Sequence, residues 1–143
     1  MAGTTVSTVV EAPAGKVWEL IGDFYALGDW HPDLPEARHG NDLGGTAVGA
    51  VRIFDLDGTV LDETLLAYDD EGRSYTYSLP DGTFELNTYR ATLRITAVTE
   101  LDATFIEWAA TYDVTPEHEE ATAALLRGVF VPGLAALRAH FAG

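Results

Sequence analysis

The stretch that decides the fold is TPEHEEATAALLRGVFVPGLAALRAHF, which spans residues 115–141. Thr115 suits a helix N-cap, and Pro116 suits the first helical position, where a missing N–H costs nothing. From Ala121 onward apolar and small residues dominate, so the stretch predicts a helix about 40 Å long with a wide apolar face. Pro132 predicts a bend within it, because proline cannot donate to the preceding turn. A helix of this kind needs a large concave surface to receive it.

The overall composition indicates one globular domain that covers residues 1–143. Hydrophobic residues make up 47% and charged residues 22% of the chain, which is enough to bury a core at this length. Eight basic residues stand against 23 acidic ones, and the resulting charge of −15 disfavours nucleic acid and anionic lipid as partners. Solubility is the simplest explanation of this charge, and an acidic docking surface is the alternative.

The sequence also indicates a cellular compartment. Cysteine is absent, which excludes disulfides and thiolate catalysis and suits a reducing environment. The first residues do not form a signal peptide, and no apolar run is predicted to reach membrane-spanning length. We therefore expect a cytoplasmic protein without membrane insertion, either a monomer or a homodimer.

The rest of the chain predicts an antiparallel sheet. Strands are expected over residues 4–10, 36–42, 73–79, 85–98 and 104–114, and a hairpin is expected over residues 49–68. Two short helical pieces follow the first strand, one ending near Gly22 and one over residues 23–29. Consecutive antiparallel strands followed by one long helix make an α+β domain. We therefore expect a curved seven-stranded sheet wrapped around the C-terminal helix.

The hairpin carries the first candidate site. Asp57-Gly58 is a two-residue turn signal of the type I′ kind, which would fix the register of the two strands. Phe54 then lies opposite Leu61, and Arg52 lies opposite Glu63, on a face that is otherwise apolar. An ion pair among apolar neighbours loses solvation, and proteins often keep such groups for a site. The alternative is an ordinary cross-strand pair on the solvent face.

The last two predicted strands leave one assignment open. In the simplest register, residue 91 lies opposite residue 109 and residue 93 lies opposite residue 107. Alternation along the final strand favours Trp108 on the buried face, in which case Glu107 pairs outside with a nearby arginine. A shift of one residue would reverse every such assignment.

Short fragments in a fixed order resemble one superfamily over nearly the whole chain. The matching fragments are VWELIGDF (17–24), WHP (30–32), GAVR (49–52), ETLL (63–66), YTYS (75–78), YRATL (89–93), IEW (106–108) and GLAAL (133–137). They resemble the START-like (Bet v 1-like, SRPBCC) superfamily, and within it the bacterial polyketide cyclase/dehydrase family. The resemblance implies a helix-grip fold, in which a curved sheet and the last helix enclose an apolar ligand cavity.

The resemblance also implies a chemistry. The pattern of the plant abscisic-acid receptors, a distant branch, would put polar pocket groups at Arg52, Glu63, Tyr89 and Glu107. In a cyclase or dehydratase, Glu63 or Glu107 would abstract a proton from the substrate. Tyr89 and Arg52 would then stabilise the enolate oxygen.

The receptor activity itself is not expected. The receptors' gate loop is cut here to the Asp57-Gly58 turn, and Pro35 stands at or near the position of their carboxylate-anchoring lysine. The leading hypothesis is therefore a protein that binds a polyketide-like or aromatic molecule and catalyses its cyclisation or dehydration. The alternative is a non-catalytic carrier or sensor of a lipid-like or aromatic molecule.

In this superfamily the segment Trp30-His31-Pro32 would lie at the cavity mouth. The resemblance makes Trp30 a wall residue. His31 is a candidate proton carrier, because histidine titrates near neutral pH. The alternative for His31 is a structural role, with the ring bonded to a nearby backbone carbonyl.

The remaining candidates are residues expected to contact the ligand from the strands and from the last helix. They are Trp30, Phe54, Leu61, Leu65, Tyr75, Tyr77, Ala91, Leu93, Trp108, Leu125, Val129 and Leu134. The last helix would act as a lid over the cavity, with Pro132 and Gly133 marking where it could bend. No phosphate-cradling glycine pattern and no metal-ligand spacing is present, so we expect neither a cofactor nor a metal.

Overall fold

The chain begins with a strand, continues through short helices and six further strands, and ends in a long helix. The computed structural model describes residues 1–142. The strands are β1 (Ala2–Val10), β2 (Arg38–His39), β3 (Val51–Leu56), β4 (Thr59–Asp69), β5 (Ser74–Ser78), β6 (Asn87–Val98) and β7 (Ala103–Asp113). The helices are α1 (Ala14–Ile21), α2 (Leu27–Trp30) and α3 (Glu119–His140), with 3-10 turns at Phe24–Ala26, Thr83–Glu85, Thr99–Leu101 and Pro116–His118.

All seven strands form one antiparallel sheet in the spatial order β1-β7-β6-β5-β4-β3-β2. Strands β2 to β7 each neighbour the next in sequence, and β1 closes the far edge by pairing with β7. The inner face of the sheet packs against α3 through Leu126, Phe130, Leu134 and Leu137, which are buried. This architecture confirms the predicted α+β helix-grip fold.

The hairpin of β3 and β4 has the predicted register. Asp57 and Gly58 both have positive φ angles, 44° and 89°, as a type I′ turn requires. Leu56 therefore lies opposite Thr59, and four residues further back Arg52 lies opposite Glu63. A two-residue turn allows only one register, so the local sequence was sufficient to predict the pairing of β3 and β4.

The predicted register of β6 and β7 is wrong by one residue. Ala91 lies opposite Ala110, and Leu93 lies opposite Trp108. The connection is a 3-10 turn followed by Asp102 in the left-handed conformation, and its four residues change the pairing from the expected one. Trp108 is consequently buried on the inner face. The inward placement that the resemblance implied for Glu107 is wrong, because this residue is half-buried on the outer face.

Two predicted strands begin or end differently. The strand expected over residues 36–42 is reduced to β2, because Asn41 folds the chain away from the sheet. Its side chain donates to the Gly49 carbonyl and accepts from the Leu43 N–H. Strand β6 begins at Asn87, later than expected, because a 3-10 turn occupies the preceding residues.

The last helix is continuous across Pro132. Thr115 and Pro116 do open the segment, but as the start of a 3-10 turn that leads into α3. An 18-residue stretch within Pro116–His140 has a mean hydropathy of 1.4, so by length and composition this segment could cross a membrane, contrary to the sequence prediction. Its apolar side instead packs on the core of the sheet, around Phe130 and Leu134.

Candidate functional site

A cavity of about 160 Å³ lies between the inner face of the sheet and the first half of α3. The sheet and its turns contribute Phe54, Leu56, Leu61, Glu63, Tyr77, Leu79, Phe84, Tyr89 and Trp108, while the helices and their loops contribute Leu27, Leu34, Leu125, Leu126, Val129 and Phe130. Among these described residues, Glu63 alone carries a charge. The cavity is therefore an apolar space with one carboxylate in its wall.

Glu63 is held by a buried ion pair. The Nε of Arg52 donates to its Oε1 at 2.6 Å, because the hairpin turn places Arg52 on β3 directly opposite Glu63 on β4. Nη1 of Arg52 donates to the Phe24 carbonyl at 2.8 Å and to the Tyr75 hydroxyl at 3.3 Å. The guanidinium also lies over the rings of Phe24 and Tyr77, at 4.1 Å and 4.5 Å from their centroids. Arg52 is fully buried and does not line the cavity.

The surroundings keep Arg52 charged. Burial by itself would lower the pKa of the guanidinium, but the charge of Glu63 together with the neighbouring Tyr75 and Tyr77 more than offsets this, so the pKa lies above its ordinary value. A buried charge of this kind is tolerated only with good geometry and hydrogen bonds. Nη2 of Arg52 has no hydrogen-bond partner among residues 1–142, so the pair is not fully satisfied.

Two phenols stand beside the carboxylate in the cavity wall. The hydroxyl of Tyr77 accepts a hydrogen bond from Nε1 of Trp108 at 3.1 Å. Burial raises the pKa of Tyr77 and of Tyr89. Both phenols are therefore protonated at neutral pH and can serve as hydrogen-bond donors to a ligand oxygen.

His31 lies outside the cavity lining, between α2 and α3. Its Nε2 lies 2.7 Å from the Val129 carbonyl and its Nδ1 lies 3.1 Å from the Asp33 N–H, so we assign the proton to Nε2. The ring packs against Gly133 so closely that a Cβ there would lie 2.7 Å from Cδ2 of His31. This is the structural arrangement that the sequence left as the alternative for His31.

The structure brings about half of the predicted site residues to the cavity. Those that line it are Phe54, Leu61, Glu63, Tyr77, Tyr89, Trp108, Leu125 and Val129. Those buried nearby but not in its lining are Trp30, His31, Arg52, Leu65, Tyr75, Ala91, Leu93 and Leu134. Glu107 lies on the opposite face of the sheet. A contact between any of these residues and a ligand stays a prediction.

Several lining residues were missed by the sequence analysis. Leu126 and Phe130 lie four positions apart on α3, and helical periodicity alone could have identified them as inward-facing. Phe84 had no such signal, because a turn with a φ of 52° at this residue presents it to the cavity. Phe84 and Leu125 are both partly exposed and also border a neighbouring surface hollow, so they form the rim of the cavity.

No metal centre accompanies the cavity in the described part of the chain. Within residues 1–142, no group of three or more histidine, cysteine, aspartate or glutamate side chains is arranged to hold a metal ion. The chemistry that this site can offer rests on the Glu63 carboxylate and on the hydroxyls of Tyr77 and Tyr89.

Similar proteins share the fold. A protein from Thermobifida fusca is 31% identical with a TM-score of 0.91, over 99% of this chain and 93% of that chain. The protein XoxI from Bacillus cereus is 32% identical with a TM-score of 0.85, over 99% and 96% of the two chains. Major latex-like protein 151 from Panax ginseng, at 18% identity and a TM-score of 0.76 over 99% and 98%, shares the fold.

No curated protein matches the sequence. The family described as polyketide cyclase / dehydrase and lipid transport matches residues 1–142. Because that match spans almost the whole length, it confirms the resemblance found in the sequence fragments. The chain therefore belongs to the polyketide cyclase/dehydrase and lipid transport family of the START-like (SRPBCC) superfamily.

Proposed function

We propose that this protein binds a small, mostly apolar molecule in the cavity between the sheet and α3. The observation that carries the proposal is the lining itself, which is apolar except for one carboxylate and a few aromatic polar groups. Ligand sites are commonly built in this way, with a few polar groups that orient a hydrophobic ligand. The family description, which includes lipid transport, supports the same function.

The size of the cavity limits the ligand. Its volume of about 160 Å³ is close to the roughly 150 Å³ of an engineered protein cavity that binds benzene. Sites for larger ligands usually measure about 300–1,000 Å³. The cavity therefore suits a single aromatic ring with a short substituent, and a longer polyketide would require the rim at Phe84 and Leu125 to open.

A pair of leucines on one strand provides the test. Leu61 lines the cavity, whereas Leu66 on the same strand is 36% exposed. Leu61→Trp should fill the cavity and weaken the binding of 4-ethylphenol at least tenfold, while Leu66→Trp should leave it unchanged. Binding can be followed through the indole N–H signal of Trp108 in NMR spectra. Equal affinities of the two variants would refute the proposal.

We also propose a second function, acid–base catalysis in the same cavity, as in cyclisation or dehydration. It is supported by the placement of a charged carboxylate beside a protonated phenol. Glu63 would take a proton from the carbon next to a substrate carbonyl, and the resulting enolate oxygen would accept a hydrogen bond from Tyr89. Arg52 would position Glu63 without reaching the substrate.

Proton exchange tests this second function without knowledge of the substrate. In D₂O, the protein should accelerate deuterium incorporation into the methyl group of acetophenone, measured by NMR or mass spectrometry. Glu63→Gln should abolish the acceleration, and Tyr89→Phe should reduce it while leaving the ion pair intact. Glu107→Gln on the outer face is the matched control. No acceleration by the wild-type protein would favour a carrier or sensor instead.

The placement of α3 bears on localisation. Its apolar side is packed on the sheet and forms one wall of the cavity, so we propose a soluble protein in which this helix serves the ligand site. A cytoplasmic location and the monomeric or homodimeric state stay predictions from the sequence.

A further inference from the structure

We propose that the cavity selects neutral ligands that donate a hydrogen bond, such as phenols, enols and alcohols, and rejects carboxylates. The inference rests on the proposed binding function and identifies the ligand class for that site. It follows from the orientation of the buried ion pair, which presents the carboxylate of Glu63 to the cavity and holds the guanidinium of Arg52 behind it.

The guanidinium of Arg52 is buried and does not line the ligand space. Its Nη1 is directed to the Phe24 carbonyl and the Tyr75 hydroxyl, which lie outside the cavity lining. The rings of Phe24 and Tyr77 cover it at 4.1 Å and 4.5 Å. An anionic ligand in the cavity therefore meets the negative end of the ion pair first and cannot reach Arg52 without displacing packed rings.

The carboxylate retains capacity to accept hydrogen bonds. Oε1 of Glu63 accepts one bond from Arg52, and no other hydrogen bond to this carboxylate occurs among residues 1–142. An ionised carboxylate offers about four lone-pair positions on its two oxygens. Because a carboxylate cannot donate, a ligand group that meets it must carry the proton itself.

The pKa shifts of the tyrosines on the two sides of the ion pair reflect the same orientation of its charges. For Tyr89 in the cavity wall, burial raises the pKa most, and the charge of Glu63 raises it further by more than Arg52 lowers it. For Tyr75 behind the pair, burial again comes first, but Arg52 lowers the pKa by more than Glu63 raises it. The cavity thus faces the negative end of the pair.

A cationic ligand is less suitable than a neutral donor. Aromatic rings and a carboxylate would attract an ammonium group in isolation. Here, however, Arg52 already neutralises Glu63, and its Nε lies 2.6 Å from Oε1 of the carboxylate. A second cation would have to leave water and sit beside the guanidinium, with no further negative charge in the cavity lining to balance it.

A panel of four ligands with the same ring and ethyl group tests the inference. They are 4-ethylphenol, 1-ethyl-4-fluorobenzene, 4-ethylbenzoate and 4-ethylbenzylamine, and their dissociation constants are measured through the Trp108 indole signal. The phenol should bind at least about tenfold tighter than the fluoro compound and the benzoate, because a hydrogen bond to a charged group is gained. Benzoate or amine binding as tight as the phenol would overturn the inference.

The pattern of failure separates the inference from the function on which it rests. If all four ligands bind with similar affinity, ligand binding is supported and the selection of donors is wrong. If none of them shifts the Trp108 signal, the proposed binding function is refuted, and the inference falls with it.

Variants of the ion pair give a second, independent readout. In the double variant Arg52→Met/Glu63→Leu, the ratio of the dissociation constants for the fluoro compound and the phenol should fall to about one. The matched control is the exposed cross-strand pair in Arg38→Gln/Asp55→Asn, for which the ratio should not change. If the double variant does not fold, Glu63→Gln serves instead, because its amide oxygen can still accept from Arg52 while its charge is lost. An unchanged ratio in either variant would overturn the inference.

Discussion

Separating the partners of the Arg52–Glu63 ion pair should destabilise the protein far more than removing both. The three variants are Glu63→Leu, Arg52→Met and the double variant that carries both changes. Arg52 has no exposed surface and the Glu63 side chain is 10% exposed, so each single change leaves a charge in the protein interior. Removing one partner of such a pair typically costs about 3–5 kcal/mol, whereas replacing both by apolar residues is often neutral or stabilising.

The structure predicts that the two single variants differ. Glu63→Leu leaves a guanidinium that remains charged, enclosed by Phe24 and Tyr77, so its cost should reach the upper end, about 5 kcal/mol. Arg52→Met leaves a carboxylate that borders the cavity, where water can approach, so its cost should be nearer to about 3 kcal/mol. Part of the latter cost comes from the Phe24 carbonyl, which loses its donor.

Urea unfolding followed by circular dichroism measures these differences as changes in the free energy of unfolding at constant m-value. The double variant should be more stable than either single variant, which is the signature of a strong coupling. A double variant that is less stable than Glu63→Leu would refute this reasoning. Single variants that each cost less than about 1 kcal/mol would show that the pair behaves like an exposed one.

Three further predictions concern stability. Gly133→Ala should lower the free energy of unfolding by about 1–3 kcal/mol, because its Cβ would lie 2.7 Å from the His31 ring. Gly128→Ala, whose Cβ meets nothing within 4 Å, should stabilise α3 by about 0.5–1 kcal/mol. Similar effects of the two variants in urea unfolding would contradict the close packing at Gly133. Gly58→Ala should cost about 1 kcal/mol or more despite open space around it, since φ is 89°. Burial, and then the charge of Asp70, raise the pKa of Tyr68 from 10.0 to about 12. The contribution of the neutral Tyr68 phenol to the free energy of unfolding is fully present below pH 10 and is lost as the pH rises towards 12. Tyr68→Phe should remove that part of the pH dependence in unfolding experiments.

The parts of the fold that were predictable are those specified by local sequence. The hairpin register followed from Asp57-Gly58, because a two-residue type I′ turn permits one pairing. The register of the last two strands could not be derived in the same way. Asp102 adopts a φ of 49° at the end of a 3-10 turn, but it is followed by Ala103, so the Asp-Gly pair that marks the hairpin turn is missing here.

The site was predictable to the same extent. Alternation along the strands identified the correct inner face for Tyr77, Tyr89 and Leu93, but it gives no information about position along the strand. Leu93 is therefore on the right face and yet packed in the core, outside the cavity lining. Leu34 and Phe84 come from loops without periodicity, so no pattern could place them in the cavity wall.

The rim explains how a cavity of this size could serve larger ligands. One side of the rim is Leu125 on α3, and moving it would pull Leu126 and Phe130 out of the core. The other side is Phe84, in a turn where both it and Glu85 have positive φ angles of 52° and 61°. Such conformations cost about 1–3 kcal/mol each and persist because neighbouring contacts impose them. Moving the turn relieves strain while moving the helix breaks packing, so a ligand longer than one ring should enter on the side of Phe84.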